Sequence, residues 1–276
     1  GASRFIVDAL FTTITNANFD NDMLDGYITK ALELKNELEG ESKKRGMEPP
    51  FMPEVSYHIP KEEYGVHEVI EHGGTLKEEI TSVLHDKNPD IRGLKQLAMY
   101  GCKGMAAYAR HACNLGYEDE DVYVIIENAL AEISRPDIDV DELFSLVLNV
   151  GEGGVKAMAL LDKANTSTYG NPEITRVDIG VRNHPGILVS GHDLKDLEEL
   201  LEQSAGKGVD IYTHSEMLPA QSYPFFKKFP HFAGNYGNAW WRQIDEFETF
   251  NGMFLFTSNC IVPPRPKTTY MDRVYT

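Results

Sequence analysis

Residues 186–213 read GILVSGHDLKDLEELLEQSAGKGVDIYT, and this stretch decides the fold. Two short apolar runs, 186–190 and 209–213, flank an amphipathic segment, 193–204, whose leucines recur at helical spacing. A strand, a helix and a strand in this order form a βαβ unit, whose two strands are parallel. Another apolar run, at 253–257, predicts a third buried strand. The pattern indicates a parallel sheet of Rossmann-like type.

The N-terminal part of the chain has a different period. From residue 3 to about residue 164 the apolar residues recur at helical spacing, which predicts a helical bundle. Residues typical of helix starts occur at Asn88-Pro89, Asp119 and Asp139. The helix that begins at Asn88-Pro89 is expected to be the longest, and an earlier helix is expected to end at Gly40. Proline-rich residues between 40 and 75 predict a long connection.

The period changes near residues 169–172. The predicted fold class is therefore multidomain, α and α/β: a helical bundle domain over residues 1–172, followed by a Rossmann-like parallel α/β domain over residues 173–276.

Composition argues against two classes of partner, nucleic acids and membranes. The chain has 276 residues and a formal net charge of -17, which repels phosphate backbones, so no nucleic acid partner is expected. No apolar run approaches the roughly 18 residues of a membrane span, so no membrane is expected either. Three cysteines, an odd number in a long chain, favour a reducing compartment and a cytoplasmic location.

Three residues of metal-ligand type follow the three predicted strands. His192 comes shortly after the first strand, Glu216 after the second and Cys260 after the third. Because ligands bind outside the carboxyl ends of parallel strands, these loops can converge on one object. Imidazole, carboxylate and thiolate together suit iron bridged by oxygen and sulfur better than they suit magnesium or calcium.

Each of these residues also has an ordinary structural interpretation. His192 could orient the turn before Asp193, a natural N-cap, and Glu216 could be a solvated carboxylate. A single Cys260 is usually a packing residue. For His214, an ordinary surface histidine is favoured over a residue that supports a ligand or donates a proton. Cys102 and Cys113 are interpreted as core thiols.

Three strings carry a resemblance to a known family: SGHDLKDL at 190–197, YTHSEMLPA at 212–220 and TSNCI at 257–261. They closely resemble the corresponding segments of hybrid cluster proteins, also called prismane proteins or hydroxylamine reductases, and their spacing fits as well. The similarity extends through residues 13–20, 100–108 and 234–237, and so covers essentially the whole chain.

The resemblance implies that His192, Glu216 and Cys260 bind the hybrid cluster, a four-iron centre bridged by sulfur and oxygen. It implies reduction of hydroxylamine to ammonia, or of nitric oxide to nitrous oxide, with electrons from an unknown donor protein. Complete family members also have an N-terminal cysteine-rich segment with a second iron–sulfur cluster and a C-terminal domain with further ligands. Neither is present in these residues, so the chain is expected to be a fragment that is inactive alone, with an incomplete or absent cluster.

Two other functions remain open at this point. One is a fragment of a catalytic subunit like that of carbon monoxide dehydrogenase, which is similar in fold. The other is a metal-free module in which Asp193 and Glu216 contact a small polar ligand. A homodimer is a further open alternative.

Overall fold

The computed structural model describes residues 1–14, 20–47, 86–258 and 260–276 of the chain. Its helices are α1 Ala2–Ile14, α2 Asn21–Lys44, α3 Pro89–Asn114, α4 Glu120–Ile133, α5 Val140–Tyr169, α6 Leu194–Ser204 and α7 Gln243–Phe247. Its strands are β1 Gly186–Ser190, β2 Asp210–Thr213, β3 Phe232–Asn235, β4 Met253–Phe256 and β5 Val274–Tyr275. Helices come first and a parallel sheet follows, which confirms the predicted fold class. Most of the predicted connection at 40–75 lies outside the described residues.

Aspartates begin the helices as the sequence indicates. The Asp119 carboxylate accepts the N–H of Asp121 at the start of α4. At the start of α5, Asp139 accepts the N–H of Glu142 at 2.8 Å, and the Glu142 carboxylate accepts the N–H of Asp139 at 3.1 Å. This reciprocal pair is a capping box, which satisfies backbone donors that the helix itself leaves unpaired.

Two expectations about helix length were wrong. Helix α2 continues past Gly40 to Lys44, because one glycine costs only roughly 1 kcal/mol of helix propensity and the Lys43–Glu39 pair spans the same turn at 2.7 Å. Among the described residues the longest helix is α5, with 30 residues against 26 for α3. It runs through Gly153, where a side chain would meet Met105 at 2.5 Å, so close packing explains that glycine.

The contacts divide the described residues into two compact units, of which the first holds 1–12, 20–47, 86–107 and 119–157. Its core comes from one face each of α3, α4 and α5, with buried residues that include Cys102, Val122 and Leu143. At Gly101 an added Cβ would lie 2.5 Å from the Val150 side chain, so α3 and α5 pack closely there. In the part described, the regular elements of this unit are all helices.

By length and mean hydropathy, 1.3 in its most apolar stretch, α5 is the one helix among the described residues that could cross a membrane. A core helix of a globular protein passes the same criterion. Within α5, Leu143, Leu146 and Val150 are buried while Glu152 and Lys156 are exposed, the pattern of a helix with one core face. That no membrane is bound stays a prediction.

The second unit holds 13–14, 108–118, 158–258 and 260–276. Its sheet has the strand order β3-β2-β1-β4-β5, and every neighbouring pair is parallel. The three strands expected from the sequence are therefore the three central ones, with β1 in the middle. The boundary expected between residues 172 and 173 stays a prediction.

Both faces of this sheet are covered. One face packs against α6, and its buried residues are Tyr169, Val189, Leu197, Leu201, Ile211, Met217, Ala220 and Phe226. The other carries a mostly aromatic cluster of Leu188, Tyr212, Ala233, Phe247, Phe250, Phe254, Phe256, Ile261 and Tyr270. Burial on both faces explains why the strands are continuous apolar runs rather than alternating ones.

Candidate functional site

The three candidate ligands lie beyond the same edge of the sheet. His192 follows β1, Glu216 lies in a 3-10 helix, Ser215–Ser222, directly after β2, and Cys260 follows β4. Because β2, β1 and β4 are adjacent and parallel, their carboxyl ends point the same way. The structure thus places the three loops side by side, as the sequence predicted.

His192 and Cys260 are close to each other. The Nε2 atom of His192 lies 4.0 Å from the Sγ atom of Cys260. The other ring nitrogen, Nδ1, lies 2.9 Å from the hydroxyl of Ser258, which also accepts the backbone N–H of His192 at 2.9 Å. When Nδ1–H donates to Ser258, the lone pair is on Nε2, on the side of the ring that faces the thiol.

Glu216 is exposed, and its carboxylate is near enough to affect the ionisation of the other two residues. Partial burial raises the pKa of the Cys260 thiol, and the charge of Glu216 raises it further. Partial burial and the neighbouring His111 lower the pKa of His192, against an opposing effect of Glu216. A neutral imidazole at neutral pH is the form that can bind a metal.

Two of the three loops have unusual backbone conformations. Among the described residues, the non-glycine residues with positive φ are Ser215, at 53°, and Cys260, at 68°. The left-handed region costs such residues of order 1 kcal/mol, and residues held there cluster at functional sites. Here one is a candidate ligand and the other directly precedes a candidate ligand.

The loop that holds His192 is seated on the end of β4. Gly191 has φ of 116°, and an added Cβ would lie 2.5 Å from Thr257 Oγ1. The Thr257 hydroxyl accepts the backbone N–H of Asp193 at 3.1 Å. Only glycine fits this position. The backbone N–H groups of His192 and Asp193 are thus held by the two residues that directly follow β4.

Asp193 is a buried structural residue and begins α6, as expected. One carboxylate oxygen accepts the backbone N–H groups of Lys195 and Asp196, and the other lies 3.0 Å from His111 Nδ1 and 2.7 Å from Asn114 Nδ2. Burial tends to raise the pKa of Asp193, but these hydrogen bonds outweigh it and the pKa is lowered. Both carboxylate oxygens of Asp193 already accept hydrogen bonds within the protein. This weakens the alternative in which Asp193 contacts a small polar ligand.

Sequence reasoning missed His111 and Asn114, which lie three residues apart near the end of α3. That spacing puts both on one helix face, and two polar residues three positions apart in the last turn of the helix were the available signal.

His214 was expected to be a surface histidine, and this was wrong. Its side chain is fully buried, and Nε2 lies 2.9 Å from a carboxylate oxygen of Glu246. Burial lowers the pKa of His214 although Glu246 acts in the opposite direction. In the part of the chain that the structure describes, its Nδ1 atom has no hydrogen-bond partner. Position in the sequence gave no sign of this burial, because Glu246 is far along the chain.

Cys102 and Cys113 are buried, as expected for core thiols. Burial raises the pKa of Cys102 to about 11, so the thiol is protonated at neutral pH. The Cys113 thiol is 3.6 Å from a carboxylate oxygen of Glu118, to which it donates. Both cysteines belong to α3, whereas Cys260 follows β4.

A cavity of about 490 Å³ lies elsewhere, at the opposite edge of the sheet. It is lined by residues that precede β1 and β4, together with the rings of Tyr212, Tyr236 and Phe250. None of the three candidate ligands lines it. This cavity is therefore separate from the candidate site.

The donor set fits a centre with several metal atoms. Across residues 1–14, 20–47, 86–258 and 260–276, no three His, Cys, Asp or Glu side chains are grouped closely enough to hold one metal ion. A cluster of several irons does not require this, because different side chains bind different irons. His192 also has the support that metal-binding histidines usually have, a polar group on the other ring nitrogen.

A family model described as "Prismane/CO dehydrogenase family" matches residues 2–276, which is almost the whole chain. The chain belongs to the Prismane/CO dehydrogenase family. Membership of this family implies an iron–sulfur cluster as the cofactor. The resemblance noted in the three strings is thereby confirmed at the level of the family.

Curated relatives in the Prismane/CO dehydrogenase family carry a more specific name. A hydroxylamine reductase of Bacteroides fragilis (strain YCH46) is 57% identical over 277 residues, which cover 100% of this chain and 48% of the relative. Those of Bacteroides thetaiotaomicron and Thermoanaerobacter pseudethanolicus are 55% and 54% identical over 99% of the chain, and 48% of each relative is covered. The chain thus spans about half the length of the curated relatives it matches.

Proposed function

We propose that this chain is part of a hydroxylamine reductase of the hybrid cluster type. It would serve the reduction of hydroxylamine to ammonia, or of nitric oxide to nitrous oxide, at a four-iron cluster bridged by sulfur and oxygen. The observation that carries the proposal is the 4.0 Å separation of His192 Nε2 and Cys260 Sγ at the ends of neighbouring strands. The names of the relatives support the choice of substrate class.

His192, Glu216 and Cys260 would hold irons of this cluster. Imidazole nitrogen, carboxylate oxygen and thiolate sulfur are all iron ligands, and a mixed set matches a centre with both oxygen and sulfur bridges. Ser258 would orient the His192 ring by binding Nδ1. The Nε2 atom of His214 is paired with Glu246, so the role of His214 would be to support the Glu216 loop.

When bound, the cluster supplies electrons to a small nitrogen oxide. Reduction of hydroxylamine to ammonia and water consumes two electrons and two protons, and the electrons must come from a redox partner protein. The exposed position of His192 and Glu216 leaves room at the edge of the sheet for a small substrate. In this proposal the protein positions the irons, and the reaction itself is that of the cluster.

The chain alone is expected to be inactive. The resemblance implies that the cluster needs further cysteine, glutamate and lysine ligands, and that a second iron–sulfur cluster relays electrons, from segments outside these residues. Metal affinity depends on a complete set of preformed ligands. We also propose a cytoplasmic location, where cysteines stay reduced, and leave a homodimer as a further proposal.

The alternative of a carbon monoxide dehydrogenase is less well supported. The family model covers both groups, but the relatives that are 51–57% identical to the chain are named hydroxylamine reductase. The metal-free alternative is weakened by the buried position of Asp193.

The test uses the product of the complete gene that encodes this chain, purified without oxygen. Iron content and hydroxylamine-dependent oxidation of a reduced dye are measured for the wild type and for His192→Ala, Glu216→Ala and Cys260→Ser. We expect each variant to lose iron and activity. The matched control is His184→Ala, since His184 is an exposed histidine that pairs with Asp210 at the other edge of the sheet. Full iron content in all three variants would refute the assigned ligands, and carbon monoxide oxidation without hydroxylamine reduction would refute the assigned substrate.

A further inference from the structure

The short helix α7 contacts two of the candidate ligand loops. It lies between β3 and β4 in the chain and has only five residues, Gln243–Phe247. Gln243, at its start, is buried, and the amide Nε2 donates to the backbone carbonyl of Cys260. Its Oε1 atom accepts the backbone N–H of Val262 at 2.9 Å. One side chain therefore holds the backbone on both sides of Ile261, directly after the left-handed residue Cys260.

Glu246, three residues later and on the same helix face, reaches the other loop. One of its oxygens lies 2.9 Å from Nε2 of His214, the residue that precedes Ser215 and Glu216. The same oxygen accepts the backbone N–H of Asn238 at 3.0 Å, and the other accepts the side-chain amide of Asn238 at 3.1 Å. Asn238 thus holds the Glu246 carboxylate in place, and the carboxylate in turn binds His214 at the start of the Glu216 loop.

The packing around this pair leaves little freedom. An added Cβ at Gly237 would lie 2.5 Å from the Glu246 carboxylate and 2.9 Å from the His214 ring. Phe247 packs edge-on against His214, with the ring centres 5.0 Å apart. A tightly packed side chain cannot move without moving its neighbours. A shift of α7 would therefore displace both loops.

We propose that Gln243 and Glu246 are positioning residues that set the spacing between the Glu216 carboxylate and the Cys260 thiol. This inference rests on the proposed function, in which both groups hold irons. It goes further in that α7 acts as a rigid link between two loops that are 44 positions apart in the chain. The contrasting possibility is that each residue stabilises only the loop it touches.

The experiment measures the coupling in the 276-residue chain without metal. Variants are Gln243→Ala and Glu246→Ala, with Gln203→Ala and Glu202→Gln on the exposed surface of α6 as matched controls. Two rates are followed: alkylation of Cys260 by iodoacetamide, located by mass spectrometry, and amide hydrogen exchange of residues 214–218. Each rate reports on a loop that one variant touches and the other does not.

If α7 links the two loops, each variant should also change the rate measured on the loop that it does not touch. Glu246→Ala should speed alkylation of Cys260 by about threefold or more, and Gln243→Ala should speed exchange at residues 214–218 by a similar factor, because local opening becomes easier. The controls should leave both rates unchanged. If each variant changes only its own loop, the proposal is overturned.

Two milder variants keep the test decisive if the alanine variants unfold. Gln243→Met keeps the length of the side chain and removes its hydrogen bonds, while Glu246→Gln keeps an acceptor oxygen for His214. Gln243→Met should still speed exchange at residues 214–218, whereas Glu246→Gln should restore most of the wild-type Cys260 rate. Equal rates of Cys260 alkylation for Glu246→Gln and Glu246→Ala would show that the hydrogen bond from His214 to residue 246 does not hold the Cys260 loop.

Neither the alkylation rate nor the exchange rate depends on iron. The proposed function and the proposed link through α7 can therefore be refuted independently. Cross-loop effects in the chain, together with a complete gene product that binds no iron, would refute the proposed function and leave the link intact. Iron binding through His192, Glu216 and Cys260 without cross-loop effects would refute the link alone.

Discussion

The Ser258 hydroxyl lies 2.9 Å from both the backbone nitrogen and Nδ1 of His192. Ser258 is also two residues before Cys260, so one residue ties the imidazole to the loop that holds the thiol. The 4.0 Å separation of the two ligand atoms follows from this connection as much as from the pairing of β1 with β4.

Ser258→Ala should weaken metal binding while the chain still folds. Loss of a polar partner on the second ring nitrogen of a metal-binding histidine typically lowers metal affinity by about 10- to 100-fold. The measurement is iron retention against a chelator in the product of the complete gene. Ser145→Ala is the control, because its hydroxyl donates to a backbone carbonyl on the exposed surface of α5. Equal iron retention in both variants would mean that Ser258 does not orient a ligand.

Glu216→Gln should make Cys260 more reactive. The carboxylate, after burial, is the second cause that raises the pKa of this thiol, so removing its charge lowers the pKa. The thiolate is the nucleophile, and the curve of alkylation rate against pH should shift to lower pH, with the rate near pH 8 increased roughly two- to fivefold. Glu202→Gln, which changes an exposed carboxylate on α6, should leave the curve in place. An unshifted curve for Glu216→Gln would show that Glu216 and Cys260 are not neighbours.

Gly191→Ala should destabilise the fold. The residue has φ of 116°, and the new Cβ would meet Thr257 and Ser258, so the free energy of unfolding should fall by roughly 1 to 3 kcal/mol. Gly154→Ala is the matched control: it lies inside α5 with no atom within 4 Å of an added Cβ. There alanine should increase stability by up to about 1 kcal/mol through helix propensity. Urea denaturation of both variants measures the difference, and the opposite order would contradict the conformation of the His192 loop.

Cys102 should resist alkylation in the folded protein. Burial raises its pKa to about 11, so near pH 8 only about one thiol in a thousand is ionised, and that thiol is shielded from reagent as well. Cys260, which is only partly buried, should be modified first. Peptide mass spectrometry after brief exposure to iodoacetamide gives the order of modification. Early labelling of Cys102 would place it outside the core.

Much of the fold could be predicted from the sequence, because the signals are local. Caps such as Asp119 and Asp139 act within one helical turn, and the apolar runs that became β1, β2 and β4 are readable without their neighbours. The strands β3 and β5 were not predicted. In β3, which reads FAGN, a glycine and an asparagine interrupt the apolar pattern. β5 has only two residues, so it is defined by pairing with β4 rather than by its own pattern.

The candidate site was predicted in part. The position of His192, Glu216 and Cys260 after three strands indicated a shared edge, and the strand order places their loops together. The residues that hold these loops were missed, since Ser258, Gln243 and Glu246 look like ordinary polar residues in the sequence. His214 was misjudged for the same reason, because nothing near it in the chain predicts its burial.

By itself the sequence determined which segments are helices and strands, and which residue types follow each strand, since these depend on interactions between residues a few positions apart. Only the tertiary structure decided that β1 lies between β2 and β4, that Ser258 binds His192, and that α7 connects the Glu216 and Cys260 loops. Those contacts join residues far apart in the chain, and their free energy exists only once the sheet has brought the strand ends together.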